Sequence, residues 1–274
     1  MITKEFPETT MLSLRRNRET GSGSGTRPLS ELLQNIAEDF YCFLFPPKCI
    51  LCGVDLEDGG RIICNDCQRR LLKEPESTLP FCPYCRSSYP DYYEKCRRCG
   101  GRKSPGKLYA LYEVNDSLRY YLHHFKYHRR PEIGMDFARK AYGVYGNADF
   151  INEIDLIIPV PMHKRKQLSR GYNQAEVLAK QLAGVFKLPV NASAIKRLRN
   201  TKSQTYLDPE KRFGNVKGAF RVESVDAVKN KTILLVDDIV TTGATLTECS
   251  RVLRKSGAKG VISFAVMRQH ARNL

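Results

Sequence analysis

The residues with the most chemistry to offer are two adjacent carboxylates at the end of an apolar run. In Ile233-Leu234-Leu235-Val236-Asp237-Asp238-Ile239-Val240-Thr241-Thr242-Gly243-Ala244-Thr245, aliphatic residues lead into Asp237 and Asp238, and a turn of hydroxyls and glycine then opens a helix. A buried parallel strand reads this way, and α/β sheets bind ligands at the carboxyl ends of their strands. The amides of Thr242, Gly243 and Ala244, with the hydroxyls of Thr241 and Thr245, are then placed to surround a phosphate at a helix N-terminus. Unbonded N–H groups and the helix dipole favour an anion there, and Gly243 lets the backbone approach closely. The acid pair suits the two hydroxyls of a ribose, met directly or through Mg2+. A Walker B strand of an ATPase would look similar, but no Gly-x-x-x-x-Gly-Lys-Ser/Thr loop accompanies it. A ligand-free core strand with a capped helix leaves the paired acids and the hydroxyl-rich turn without a reason.

The second set is a series of four Cys-x-x-Cys pairs: Cys49/Cys52, Cys64/Cys67, Cys82/Cys85 and Cys96/Cys99. Two residues between thiols is the spacing a tight turn needs to aim both sulfurs at one tetrahedral ion, and two such knuckles complete a four-thiolate zinc site. Eleven residues separate the first two pairs and ten the last two. Gly53 and Gly100 follow second cysteines, as such knuckles favour. The simplest assignment is two successive ribbons, and an interleaved cross-brace uses the same residues. One isolated pair would also fit a thioredoxin-like redox site; four in series on polar loops do not. A closed site of four thiolates holds structure and leaves no open coordination position. Cys42 and Cys249 stand outside the pattern, and Cys249 reads as a small core residue on a helix.

The surrounding chain must position these groups. Its 274 residues suffice for one large or two small domains, and 42% apolar and 27% charged residues are ordinary for a folded protein. The net charge of +16 is unevenly placed: residues 151–274 hold 22 Lys and Arg against 10 Asp and Glu, and the first 150 hold 23 against 19. Such a field attracts polyanions (nucleotides or nucleic acid) and says nothing of the fold. There is no apolar core of signal-peptide length and no segment near the ~20 apolar residues of a membrane helix. Ten cysteines therefore point to metal ligation in a reducing, cytoplasmic setting.

Residues 1–27 are polar and aperiodic and end in a Gly-Ser run, a flexible tail. Leu29, Leu32, Leu33, Ile36, Phe40 and Leu44 form a helical stripe, stopped by Pro46-Pro47. Residues 28–104 thus form a helix plus double zinc-ribbon module, and residues 105–274 an α/β domain. There, helices are expected around Leu118–Phe125, Ala138–Tyr145, Ala175–Val185 and Leu246–Leu253. Strands are expected at 155–161, 232–236 and 260–267, in a mostly parallel sheet flanked by helices. Lys164, Arg165, Lys166 and Arg170 crowd a turn at the ligand end of the first strand, and Asn173 is placed to cap the next helix. Lys196–Lys202 is a second basic stretch. His123, His124 and His128 lack paired carboxylates and read as surface or partly packed.

The 233–245 segment matches the phosphoribosyl-diphosphate (PRPP) motif of the type I phosphoribosyltransferases. Ile157-Ile-Pro-Val-Pro-Met-His-Lys-Arg-Lys-Gln-Leu-Ser-Arg-Gly-Tyr-Asn-Gln174, Phe125-Lys126-Tyr127 and Thr201-Lys-Ser-Gln204 resemble the ComF family of competence proteins. Arg212, Asn215 and Ala219-Phe220, and the cysteine module itself, fit the same layout over roughly 40–270. The resemblance implies a type I phosphoribosyltransferase-like fold behind a zinc-ribbon module. It implies PRPP bound by Asp237, Asp238 and Thr241–Thr245, with Mg2+, and the loop after the first strand near the diphosphate. It further implies a role in natural transformation, in which single-stranded DNA is handled at the inner face of the membrane with the competence helicase and recombination-mediator proteins. Transfer of a phosphoribosyl group to a nucleobase in salvage is the other activity such a site could have. Catalytic residues and an acceptor base do not follow from the sequence. Tyr84, Tyr89, Tyr92 and Tyr93 near the second ribbon are compatible with stacking on single strands.

Overall fold

The computed structural model describes residues 46–56, 62–71, 78–83, 87–88, 106–128, 130–200 and 209–269. In chain order the elements are α1 (Asn65–Leu71), β1 (Leu108–Glu113), α2 (Asp116–Tyr127), α3 (Glu132–Tyr145), α4 (Asp149–Asn152) and β2 (Leu156–Pro159). There follow α5 (Lys164–Arg170), α6 (Gln174–Phe186), β3 (Ile195–Arg197), α7 (Pro209–Val216), β4 (Phe220–Val222), β5 (Thr232–Val240), α8 (Ala244–Lys255) and β6 (Gly260–Arg268).

The three expected strands join a fourth, β1, in one sheet of order β1-β6-β5-β2 in which every neighbouring pair is parallel. Parallel strands covered on both faces should be apolar throughout, and β5 shows why. Ile233 and Leu235 enter one core cluster, whereas Leu234 and Val236 enter the other. The first cluster is filled by Leu246, Cys249 and Leu253 of α8. The second takes Leu118, Tyr121 and Phe125 of α2, Phe137 and Ala141 of α3, and Leu178 and Leu182 of α6. Helices of 12 to 14 residues are marginal alone in water, so burial of these faces, at roughly 1.5–3 kcal/mol per large apolar side chain, holds them. The packed stripe of α3 runs through Ile133, Phe137, Ala138, Ala141 and Tyr145, and leaves Tyr142 38% exposed.

Two parts of the module rest on this body. Cys49, Leu56, Ile62, Ile63, Cys67 and Leu71 belong to the same cluster as α2 and α3. Phe81 joins the opposite cluster and its N–H donates to the Leu108 carbonyl at 2.8 Å. Among the described residues no helix is long and apolar enough to cross a membrane. The expected stripe at 29–44, the tail 1–27, Cys42, Cys85, Cys96, Cys99, Gly100, the tyrosines 84, 89, 92 and 93, and Thr201–Gln204 lie outside the described residues.

Candidate functional site

The carboxyl end of β5 carries the acid pair. Asp238 is 9% exposed, and the Asp237 carboxylate accepts the Asp238 N–H at 2.9 Å. Burial, and then the neighbouring Asp238 charge, push the Asp237 carboxyl well above its ordinary range, although the Asp238 N–H and Lys126 pull the other way. Two carboxylates this close need a cation to ionise together. Lys126, at the end of α2, supplies one: its ammonium lies 2.7 Å from an Asp238 oxygen, with both side chains largely buried.

The chain then turns through Thr241 and Thr242 to Gly243, which takes the left-handed conformation (φ 72°) and caps α8. Ala244, Thr245 and Leu246 therefore present the first-turn N–H groups, and Thr247 makes the first helical bond back to the Gly243 carbonyl (2.8 Å). The Thr242 hydroxyl is buried and finds no hydrogen-bond partner among the described residues. An anion oxygen at this turn would satisfy it. Pro83, from the third cysteine pair, packs on the turn. A Cβ at residue 243 would stand 2.6 Å from the Pro83 Cγ, so the knuckle closes on the glycine itself.

The expected basic turn is a short helix, α5, with no buried residue. His163 caps it by accepting the Arg165 N–H at 3.2 Å, and Gly171 ends it at φ 88°. Lys164 and Arg165 face solvent. Lys166 is half-buried; burial first, then the Arg197 and Arg170 guanidinium groups, pull its pKa down. Arg197 of β3 is itself affected by burial, Cys249 and Asp237. Lys166, Arg170 and Arg197 thus form a cationic cluster on the approach to the acid pair.

Asn173 does cap α6, accepting from the Ala175 N–H at 3.2 Å while its amide donates to the Val160 carbonyl at 3.0 Å. Its neighbours reach α2. Tyr172 donates to the Phe125 carbonyl, the Gln174 amide to the Lys126 carbonyl (3.1 Å), and Arg170 to the Tyr127 hydroxyl (3.0 Å). The Phe125–Tyr127 and Arg170–Gln174 motifs are therefore two halves of one clamp, which fixes the end of α2 where Lys126 reaches Asp238. Lys126, Arg197 and Pro83 were not among the residues singled out for the site from sequence. Lys126 had a signal as the centre of the Phe125-Lys126-Tyr127 motif, and Arg197 as a member of the basic stretch Lys196–Lys202; Pro83 had none.

Cys49, Cys52, Cys64 and Cys67 converge, with all four sulfurs within 4.8 Å of one another. The Cys52 and Cys64 sulfurs are 3.7 Å apart, close to the ~3.8 Å edge of a tetrahedron with Zn–S bonds of about 2.3 Å. The first two pairs therefore close on each other, and the first ribbon needs no interleaving. Hydrogen bonds from the backbone around Cys64, Leu51 and Cys52 outweigh burial and bring the Cys49 thiol down to about 6, whereas burial and the other three sulfurs push Cys67 up to about 12. Four thiolates cannot share this volume without a cation. Cys82 is buried on the other flank, and its N–H donates to the Ser87 carbonyl at 2.9 Å.

Residues 125–274, more than half the chain, match the model of the phosphoribosyl transferase domain. That range holds β2, β5, β6, the acid pair and the 241–245 turn. Competence protein F of Haemophilus influenzae is 30% identical over 226 residues, covering 81% of this chain and 96% of the relative. DNA utilization protein YhgH of Escherichia coli (strain K12) is 30% identical over 227 residues (81% and 97%). Competence protein ComFC of Bacillus subtilis (strain 168) is 27% identical over 218 residues (75% and 84%). The chain belongs to the ComF family of phosphoribosyl transferase domain proteins.

Proposed function

We propose that the protein binds PRPP and serves DNA uptake, handling incoming single-stranded DNA. The observation that carries the PRPP reading is the juxtaposition at the end of β5. An acid pair for the ribose hydroxyls, of which Asp238 is buried, an αL glycine with first-turn N–H groups and the Thr242 hydroxyl for the 5′-phosphate lie within one short segment. Thr241 and Thr245 flank that phosphate, and Lys166, Arg170 and Arg197 face the diphosphate, with Lys164 and Arg165 at its solvent edge. The elevated Asp237 carboxyl fits a site that gains a cation. Mg2+ entering with the diphosphate would supply that charge and let both acids ionise.

The role in DNA rests on the kinship to proteins named for competence and DNA utilization and on the basic second half of the chain. Action in the cytoplasm at the inner face of the membrane, beside the competence helicase and recombination mediators, rests on family resemblance. A second zinc site from Cys82, Cys85, Cys96 and Cys99 rests on their repeat of the same Cys-x-x-Cys spacing. PRPP-dependent diphosphate release, measured with each common nucleobase, separates this role from salvage. The proposal expects PRPP binding without base-dependent turnover, and single-strand binding that falls steeply as salt rises. Sustained turnover with one free base, and no affinity for oligonucleotides, would overturn it in favour of a salvage enzyme.

A further inference from the structure

The outer face of α2 is a continuous strip of rings. Leu118, Tyr121, Leu122 and Phe125 are buried, so Tyr120, His123, His124, Tyr127 and His128 lie on the outward side. Their rings touch in sequence. Tyr120 stands edge-on to His124 at 4.8 Å between centroids, His124 stacks on His128 at 4.4 Å and 25°, and His123 meets Tyr127 at 4.7 Å. The Arg170 guanidinium covers Tyr127 at 4.9 Å. The strip therefore ends at the clamp that carries Lys126 and the diphosphate-facing cations. Tyr120 and Tyr127 are 49% and 52% exposed, unusual for rings that have a packed face of the same helix available.

The imidazoles are not a metal site. Among the described residues only the four converging cysteines are placed to hold an ion. Burial first, then His128, His123 and Arg130, hold His124 below its ordinary pKa. Arg119 and Arg130 border the strip in solvent. The acids there are Asp116, at the far end of the helix, and Glu132, paired with Arg130 at 3.3 Å. Exposed rings lined with guanidinium groups are what stacks bases and meets phosphates in proteins that hold single strands.

We infer that the outer face of α2 is the platform on which single-stranded DNA stacks, guided past Arg170 toward the mouth of the PRPP site. This rests on the single-strand reading above and gives it an address outside the ribbon tyrosines. Seven residues separate Tyr120 from Tyr127, a rise of roughly 10 Å along the helix, enough for about two nucleotides.

The test uses the full-length, zinc-loaded protein and a fluorescein-labelled fifteen-nucleotide oligo-dT, read by anisotropy at low salt. Tyr120→Ala/His123→Ala should weaken binding by about tenfold or more, since each lost stacking ring is worth roughly fivefold or above. Tyr120→Phe/His123→Phe should retain it, and PRPP affinity should be unchanged in both. If the wild type binds the oligonucleotide and the alanine pair binds it equally well, the platform is wrong and the single-strand reading stands. No wild-type binding overturns both. Tighter binding of oligo-rU or of a duplex overturns the assignment to single-stranded DNA.

Discussion

Lys126→Met removes the one cation that, among the described residues, forms an ion pair with Asp238, while keeping most of the side-chain volume. At 2.7 Å, an ion pair in surroundings of effective dielectric ~20 has a Coulomb term of about 6 kcal/mol. Desolvation of both groups offsets much of it, and loss of one partner of such a pair typically costs about 3–5 kcal/mol. The residual exposure of 19% and 12% lets water take part of the load, so about 2–4 kcal/mol is expected at pH 7.5. That corresponds to a melting point lower by roughly 5–15 °C. Lys126 also restrains the upward shift of Asp237, so its removal raises that carboxyl further. A carboxyl with a folded pKa above its unfolded value gives stability present at acid pH and lost as pH rises through the folded value. The deficit of the variant should therefore be widest near neutrality and close toward pH 4. Mg2+ should recover part of it in the variant and do little for the wild type. Calorimetric melts across pH 4–8, with and without Mg2+, measure all of this. Equal melting points at pH 7.5 would refute the claim that Lys126 stands in for a cation at the acid pair.

Three other outcomes follow from the geometry. Gly243→Ala combines a left-handed φ with a Cβ 2.6 Å from Pro83. It should lose at least about tenfold in PRPP affinity, from ~1–2 kcal/mol of backbone strain plus the displaced knuckle, with helix content unchanged by circular dichroism. Cys52→Ser should remove one zinc equivalent by metal analysis and lower the melting point, because Cys49 and Cys67 belong to the core cluster beneath α2 and α3. The elevated Asp237 makes binding of a Mg2+–PRPP complex release a proton, so affinity should rise with pH, by up to about tenfold per unit below the Asp237 pKa. Calorimetry in buffers of different ionisation enthalpy reads that proton directly.

Much of the site was legible because it is local. The strand, the two acids, the hydroxyl turn and the helix that follows are consecutive residues, and a Cys-x-x-Cys knuckle states its chemistry within four positions. Helices α6 and α8 were equally plain from their apolar spacing. Other features depend on the folded chain. Lys126 meets Asp238 where Tyr172 and Gln174 pin the end of α2, and Arg197, which feels the Asp237 charge, sits on a three-residue strand too short to show any alternation. Strand β1 carries little sequence signal because Leu-Tyr-Ala-Leu-Tyr-Glu mixes tyrosines into a run that is buried on both faces, so no clean aliphatic stretch marks it. The helical form of the basic turn had no apolar signal, because Leu168, 84% exposed, is the lone apolar residue of α5 and leaves no stripe to read. Pro83 on Gly243 joins two segments whose sequences give no sign of each other.

The central claim is a PRPP site built on Asp237, Asp238 and the 241–245 turn. Its most direct test is calorimetric titration of PRPP with Mg2+ into the wild type and into Asp237→Ala/Asp238→Ala. Binding in the wild type that disappears in the double variant, with the fold and zinc content of both intact, is the predicted result. No heat of binding from the wild type at millimolar PRPP, or equal binding by the variant, would contradict the claim.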